Sequence, residues 1–445
     1  MKKMIFIFLI CTQISVAQKN PDRLFTPEEL KSDADFYFKM LYANHPNPYY
    51  YYSLEIFENK KNEIYAQLHH PLTKKQFTSI IGEINAYVDY HSIIPDLYHS
   101  LYPDMKDDFD QSEIFPTVKI RGGKLFLADD LKNDITEING IKIHDILSDY
   151  KKYFNWKLPE KPNYSFLESW LPLLFHYKYK FTAPYRVRFN TSSKIKTLDK
   201  ISLDEFRRSN VLWSDHRGTT KNSFNNPETY TYEILPASSI AIFYIETFYN
   251  QYKDKFYSSL KQFTEEVNNQ NIKYIFYDLS KNSGGQFGGY EALDIIKHDT
   301  VYFRRTEIAR RDGFNEKSDV NEIALLPNHG TNIPSDRKLF VIQSSSTRSA
   351  GDYFCRIIKE NHLGILVGED TGEPTVAFSK SYSYEMPNSK IEFTIATTLV
   401  DFSSYFNSET LQPDIYWDIH HNREFTEQEL LNVINAYKNN KTCIN

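Results

Sequence analysis

Glycine and proline are scarce in this 445-residue chain, at 15 and 19. That excludes a collagenous repeat and a low-complexity chain. Cysteine is scarcer still, at 3, which excludes a fold stapled by a disulfide framework. There is no surplus of positive charge: 52 Lys+Arg against 58 Asp+Glu give a formal net charge of −6. Nothing in the bulk balance favours nucleic acid as a partner. No apolar run reaches the ~18 residues that a spanning helix needs. No internal repeat is visible. What is present is ordinary globular material, 41% hydrophobic and 25% charged, enough for a sizeable core. Aromatics are plentiful, with 33 Tyr and 32 Phe; packed cores and strands are their commoner use and a ligand groove the other. The length suggests two or three domains at ~150 residues each.

The first residues read as a secretory signal. Lys2 and Lys3 precede an apolar stretch, Ile5 to Ile10, and Ser15-Val16-Ala17 is a small-residue end. Cleavage is expected after Ala17, with export of a chain that has no transmembrane span. Ile10 precedes Cys11, where a lipid-attachment signal wants a small residue, so no lipid anchor is expected. Cys355 and Cys443 then remain, read as a buried thiol and a tail thiol rather than a bridge.

Residues 26–90 read as helical. Thr26 caps, Pro27 takes the first turn, and Glu28 and Glu29 sit at the positive end. Phe77, Ile80, Ile81, Ile84 and Val88 lie on one helical face, which ends near Asp89-Tyr90-His91. Residues 115–152 read as a small β-rich module closing on a short helix from Ile143 to Tyr150. A helix is expected over 164–178 and a charged, strand-rich connector over 183–238. From about 239 the rhythm is α/β: strands at Ile240 to Tyr244, Tyr274 to Leu279, Leu339 to Gln343 and Ile365 to Val367. Helices are expected at Lys253 to Val267, Gly289 to Lys297 and Ser349 to Glu360. Thr426 and Glu429 form a capping box for a last helix.

Two strand ends could carry chemistry. The strand through Ile342 runs into Gln343-Ser344-Ser345-Ser346-Thr347-Arg348-Ser349-Ala350. A serine at a helix start has backbone N–H groups and the positive dipole end beside it, which suits a nucleophile and an oxyanion. The same position suits a plain N-cap. The other end is Asp278-Leu279-Ser280-Lys281-Asn282-Ser283-Gly284-Gly285. Glycine there lets a backbone N–H approach a ligand and form half of an oxyanion hole, or simply makes a strand-to-helix turn. No Gly-Lys-Ser/Thr follows, so it is not a phosphate loop. His69-His70 and His420-His421 lack ligand spacing, and Asp104, Asp107, Asp108 and Asp110 read as a solvated loop, so no metal site is expected.

These segments, in this order, resemble the C-terminal processing (tail-specific) serine peptidase family. Asp278 to Gly285 is similar to its Asp-Leu-Arg-x-Asn-x-Gly-Gly. Thr347-Arg348-Ser349-Ala350 is similar to Thr-x-Ser-Ala, and Val367-Gly368-Glu369-Asp370-Thr371 to Val-Gly-Glu-x-Thr. Pro413-Asp414-Ile415 matches Pro-Asp-Ile/Val. The resemblance covers roughly 239–438. Ile135 to Leu147 resembles the end of the family's PDZ-type module. Val88-Asp89-Tyr90-His91-Ser92 resembles the Asp-Gly-His-Thr segment of the tricorn-like branch. Two departures stand out: Ser280 replaces the family's Arg, and Pro374 stands where the Ser–Lys branch has its base, the next lysine being Lys380.

The resemblance implies an α/β fold with a crotonase-like (ClpP-like) core over 230–445. A signal peptide over 1–17, an N-terminal helical region over 18–111, a PDZ-like module over 112–160 and a connector over 161–229 precede it. It implies Ser349 as nucleophile and His91 as general base, histidine being the side chain that titrates near neutral pH; His99 is a nearby rival. It implies Glu409 as the carboxylate that orients His91, with Ser92 bridging the two. Gly284 or Gly285 and Ala350 would supply the oxyanion N–H groups. The implied substrate is a polypeptide, captured by its C-terminal tail, with no cofactor. The rival expectations are a catalytically degenerate peptide- or ligand-binding protein on the same fold, and an esterase or amidase using the same residues on a small substrate.

Overall fold

The computed structural model describes residues 23–94, 114–121, 123–151, 167–168, 171–172, 175, 179–192, 194–202, 205–206, 230–328, 333–419 and 425–444. The signal segment, His99, the acidic loop with Asp104 and the pair His420-His421 lie outside the described residues.

The N-terminal part is helical because its caps are strong. Strand β1 (Leu24–Phe25) leads into α1 (Pro27–Asn44). The Thr26 side chain accepts from the Glu29 N–H and the Glu29 carboxylate accepts in return from the Thr26 N–H. Helix α2 (Leu54–Ala66) follows; β2 (Leu72–Thr73) pairs antiparallel with β1 and opens α3 (Lys74–Ile81) through a second capping box. A 3₁₀ turn, Gly82–Ala86, extends α3 toward His91. Phe77, Ile81, Ile84 and Val88 are buried together with Met386, Ile391, Phe393 and Ile395 from far along the chain. The predicted apolar face thus docks this region onto the C-terminal part.

The middle module contains β3 (Val118–Arg121), β4 (Lys124–Leu127), β5 (Asp130–Ile138), β6 (Ile141–Lys142), α4 (Ile143–Lys151), β7 (Tyr185–Phe189) and β8 (Ile195–Leu198). The sheet order is β3-β4-β5-β7-β8, with β6 on β5. It has a core of its own, which includes Leu167, Leu171 and Phe175 at helical spacing. The described part of 161–229 is therefore not a connector. Tyr185, Val187 and Phe189 point inward with period two, and β7 closes antiparallel on β5.

The rest runs β9 (Tyr232–Leu235), β10 (Ile240–Tyr244), α5 (Lys253–Asn269), β11 (Tyr274–Asp278), β12 (Val301–Arg311), β13 (Phe314–Leu325) and β14 (Lys338–Gln343). Then come α6 (Ala350–Glu360), β15 (Ile365–Gly368), β16 (Val376–Glu385), β17 (Glu392–Asp401), β18 (Ile415–Trp417), α7 (Glu427–Lys438) and β19 (Cys443–Ile444). Seven strands form one sheet in the order β19-β18-β15-β14-β11-β10-β9, parallel except for β9. Its central strands are buried on both faces. Ile275, Tyr277, Leu339 and Val341 face α5 and α6, whereas Phe276, Phe340 and Ile342 face α7. Both strand ends singled out in the sequence, Asp278 and Gln343, finish at the same end of this sheet. Ligands bind at the carboxyl ends of parallel strands.

Strands β12, β13, β16 and β17 form a second, antiparallel sheet, order β13-β12-β17-β16, which the sequence reading did not contain. Asp312-Gly313, both at positive φ, is the turn between β12 and β13; Asp-Gly between strand formers was the available signal. The helix expected over Gly289 to Lys297 is only a 3₁₀ turn, Tyr290–Ile295. Arg337 takes the Ile295 carbonyl and Asn328 takes that of Ile296, so the backbone bonds of a longer helix are not formed there.

Candidate active site

Ser349 stands where β14 turns into α6, with φ 49° and ψ −124°. A residue with a Cβ resists this backbone conformation, at a cost of ~1–3 kcal/mol, and strain of this kind concentrates at functional sites. The surrounding turn over-determines it. The Thr347 hydroxyl accepts from the Ser344 N–H at 2.9 Å and donates to the Leu279 carbonyl at 2.8 Å. The Arg348 N–H donates to the Asn282 carbonyl at 3.0 Å. The Ser349 side chain makes no capping hydrogen bond, so the N-cap alternative does not hold. A strained serine at a strand-to-helix turn exposes its Oγ.

The glycine turn after β11 lies against this elbow. A Cβ on Gly284, which has φ +104°, would come within 2.6 Å of the Ser349 Cβ, so only glycine fits. The Gly284 N–H is spent on Asn282 Oδ1 at 2.8 Å. Of the two expected glycines, Gly284 therefore has no donor to offer. The N–H groups of Gly285 and Ala350 make no hydrogen bond among the described residues. An oxyanion hole needs open backbone donors of this kind close to the nucleophile.

His91 sits half-buried just beyond the helical region. Asp89, fully buried, organises its loop. One Asp89 oxygen accepts from the His91 N–H at 2.7 Å, and the other from His45 Nε2 at 2.8 Å. His45 Nδ1 accepts from the Asn47 N–H at 3.1 Å, which puts the imidazole proton on Nε2, facing Asp89. Burial alone would raise the Asp89 carboxyl, but His45, His91 and Ser92 together hold it below its ordinary range.

Ser92 is fully buried and its Oγ accepts from the Ala396 N–H at 2.9 Å. It pins the loop to β17 and does not bridge His91 to Glu409. The Glu409 carboxylate is exposed and makes no hydrogen bond or ion pair among the described residues; only its backbone carbonyl is used, by the Thr375 N–H at 2.7 Å. Glu409 and the His91 ring share no hydrogen bond among the described residues. The carboxyl that does reach the elbow is Glu373, which is buried. Glu373 Oε2 accepts from the Ser349 N–H at 3.1 Å and Oε1 from the Tyr90 hydroxyl. Ser349 Oγ and the His91 ring share no hydrogen bond; such contacts often close only around substrate. Sequence reasoning missed Tyr90, Glu373 and His45, none of which carries a local signal beyond its proximity to a motif.

Beneath the elbow, Asp352 and Arg356 form an ion pair at 2.6 Å with both side chains fully buried. The Thr371 hydroxyl donates to Asp352 at 2.5 Å, and the guanidinium packs on Phe402 and Phe406. This cluster ties α6 to the segment that carries Glu373. Cys355 and Cys443 are both free thiols, and burial pushes the Cys355 thiol well up. No group of three His, Cys, Asp or Glu side chains among the described residues could hold a metal ion. None of their helices is long and apolar enough to cross a membrane.

A His45→Ala change should destabilise the protein by ~1–3 kcal/mol, because Asp89 is left buried without one partner. Asp89 has a depressed folded pKa, so its contribution exists above its unfolded value of 3.8 and is lost as pH falls. Urea denaturation of both proteins should therefore show the full gap at neutral pH and a shrinking one as pH falls below about 3.8. An equal gap at both would count against the His45–Asp89 linkage.

No curated protein matches the sequence. Among solved structures, mature CPAF is similar with a TM-score of 0.57 at 10% identity, over 93% of this chain and 98% of that one. A mutant of CPAF gives 0.60 at 10% identity, over 94% and 99%. These likenesses show a shared fold across nearly the whole length. The photosystem II D1 C-terminal processing protease gives 0.44 at 12% identity, over 88% and 93%. The family model described as peptidase family S41 matches residues 239–417, a span that includes the glycine turn, the serine elbow and the segment with Glu373. Over these residues the chain is similar to peptidase family S41, and that match supports a serine-type peptidase of the C-terminal processing kind.

Proposed function

We propose that the protein is an exported endopeptidase or C-terminal processing peptidase of the Ser/His, tricorn-like kind, working through a Ser349 acyl-enzyme. The observation that carries this is the strained Ser349, whose hydroxyl does not cap α6, with the open Ala350 N–H next to it and the turn that carries the open Gly285 N–H packed on it through Gly284. Ser349 Oγ attacks a peptide carbonyl while His91 takes its proton. The two N–H groups hold the oxyanion, His91 returns the proton to the leaving amine, and water hydrolyses the ester. The parallel sheet with helices on both faces supports a crotonase-like core. The separate six-stranded module supports a PDZ-like role in capturing a polypeptide's C-terminal tail. The pattern of residues 1–17 supports export, to the periplasm or beyond. The chemistry needs no cofactor.

The second reading, a degenerate binding protein, is favoured by the missing Ser349–His91 hydrogen bond. A fluorophosphonate probe and casein turnover separate the two. Wild type should be labelled and active, and Ser349→Ala neither. A wild type that is unlabelled and no faster than Ser349→Ala would leave the binding reading standing.

A further inference from the structure

Among the described residues, one hydrogen-bonded chain links the loop of His91 to the elbow of Ser349. The Tyr90 hydroxyl donates to one oxygen of Glu373, and the other oxygen accepts from the Ser349 N–H at 3.1 Å. The two side chains are 283 positions apart. The Tyr90 ring in turn lies against the His91 imidazole, with centroids 4.6 Å apart.

We propose that Tyr90 and Glu373 are positioning residues that act as one strut, setting the distance and tilt of His91 relative to Ser349. The proposal rests on the reading of Ser349 as nucleophile and His91 as base. Three observations carry it. First, Glu373 is buried at 3% exposure, so its two hydrogen bonds face little competition from water. Second, its bond to the Ser349 N–H supports the strained backbone that presents the hydroxyl. Third, fixing the Tyr90 hydroxyl fixes the ring on which the imidazole packs, and no residue among those described hydrogen-bonds the His91 ring to do so. Burial first, and the Glu373 charge second, push the Tyr90 phenol well above its ordinary value. It therefore remains a donor at every working pH. Arg348 flanks both groups, and its charge offsets that of the carboxylate. The strut touches neither substrate nor a reacting atom, so its effect is on geometry alone.

The test is a double-mutant cycle on casein turnover, with fluorophosphonate labelling alongside. Tyr90→Phe removes a single hydroxyl and should lower kcat ~10- to 100-fold, the order expected when reacting groups are misplaced by about an ångström. KM should stay within about threefold and the thermal midpoint within a few degrees, because binding and folding do not depend on the strut. Glu373→Gln should lose a similar factor, and the double variant should be no slower than the slower single one. Wild-type kcat in Tyr90→Phe, a loss confined to KM, or losses that multiply in the double variant would each overturn the strut. An unlabelled wild type would instead bring down the nucleophile assignment, and the strut with it.

Discussion

His91→Ala should lower kcat on the order of 10⁴- to 10⁶-fold, with Ser349→Ala falling as far and the double variant no further. In the proposed mechanism the two side chains act as a unit: without the base the serine hydroxyl stays protonated, and without the serine the base has no proton to take. The residual rate would come from substrate held against the Gly285 and Ala350 N–H groups, which neither change touches. His91 hydrogen-bonds to Asp89 through its backbone N–H only, so truncating its ring leaves the loop's internal bonds in place. Folding should survive, and the thermal midpoint is the control. Casein turnover by the three variants checks the expectation. Losses that multiply in the double variant would mean that His91 and Ser349 work independently.

Arg356→Met should destabilise the fold by about 3–5 kcal/mol, since it leaves the fully buried Asp352 carboxyl without its cation. Part of the loss falls on the guanidinium stem and its packing on Phe402 and Phe406. The pH dependence has a definite sign. Burial, opposed by Arg356, already raises the Asp352 carboxyl to about 6 against an unfolded value of 3.8. A raised carboxyl stabilises fully below its unfolded value and loses that stability as pH rises through the folded one. Without Arg356 the folded value climbs further, so the penalty should be greater at about pH 8 than at about pH 5. Adding Asp352→Asn should recover part of it, because the uncompensated charge is gone. Urea midpoints at the two pH values measure this. A penalty that does not change with pH would show that packing, not charge, dominates the site.

The two strand ends were legible because each is a local arrangement: a buried apolar run, then a polar turn with glycine or serine, then a helix. Ser349 came out of that pattern together with the resemblance, and its strained backbone then excluded the N-cap alternative. Glu409 shows a limit of such reading. Its position before Pro413-Asp414-Ile415 could be aligned, but the side-chain direction could not, and Thr375 turns out to hold its carbonyl while the carboxylate faces solvent. Gly284 and Gly285 are adjacent and look alike in sequence; only the Asn282 side chain separates the engaged donor from the open one.

The second sheet and the full extent of the middle module were missed because their pairings are long-range. β5 reaches β7 across a gap of more than 40 residues, and β12 reaches β17 across more than 80. The sequence by itself determined the caps, the buried strands, the order of the motifs and the glycine turn, since these depend on neighbours within a few positions. Which carboxyl reaches the nucleophile, what the base lies against, and which N–H groups stay open were decided only by the tertiary structure. Tyr90, Glu373 and Ser349 meet because the N-terminal helices dock on one end of the β16–β17 hairpin while the parallel sheet presents the elbow near the other. No local periodicity encodes a contact that depends on two separate cores packing together.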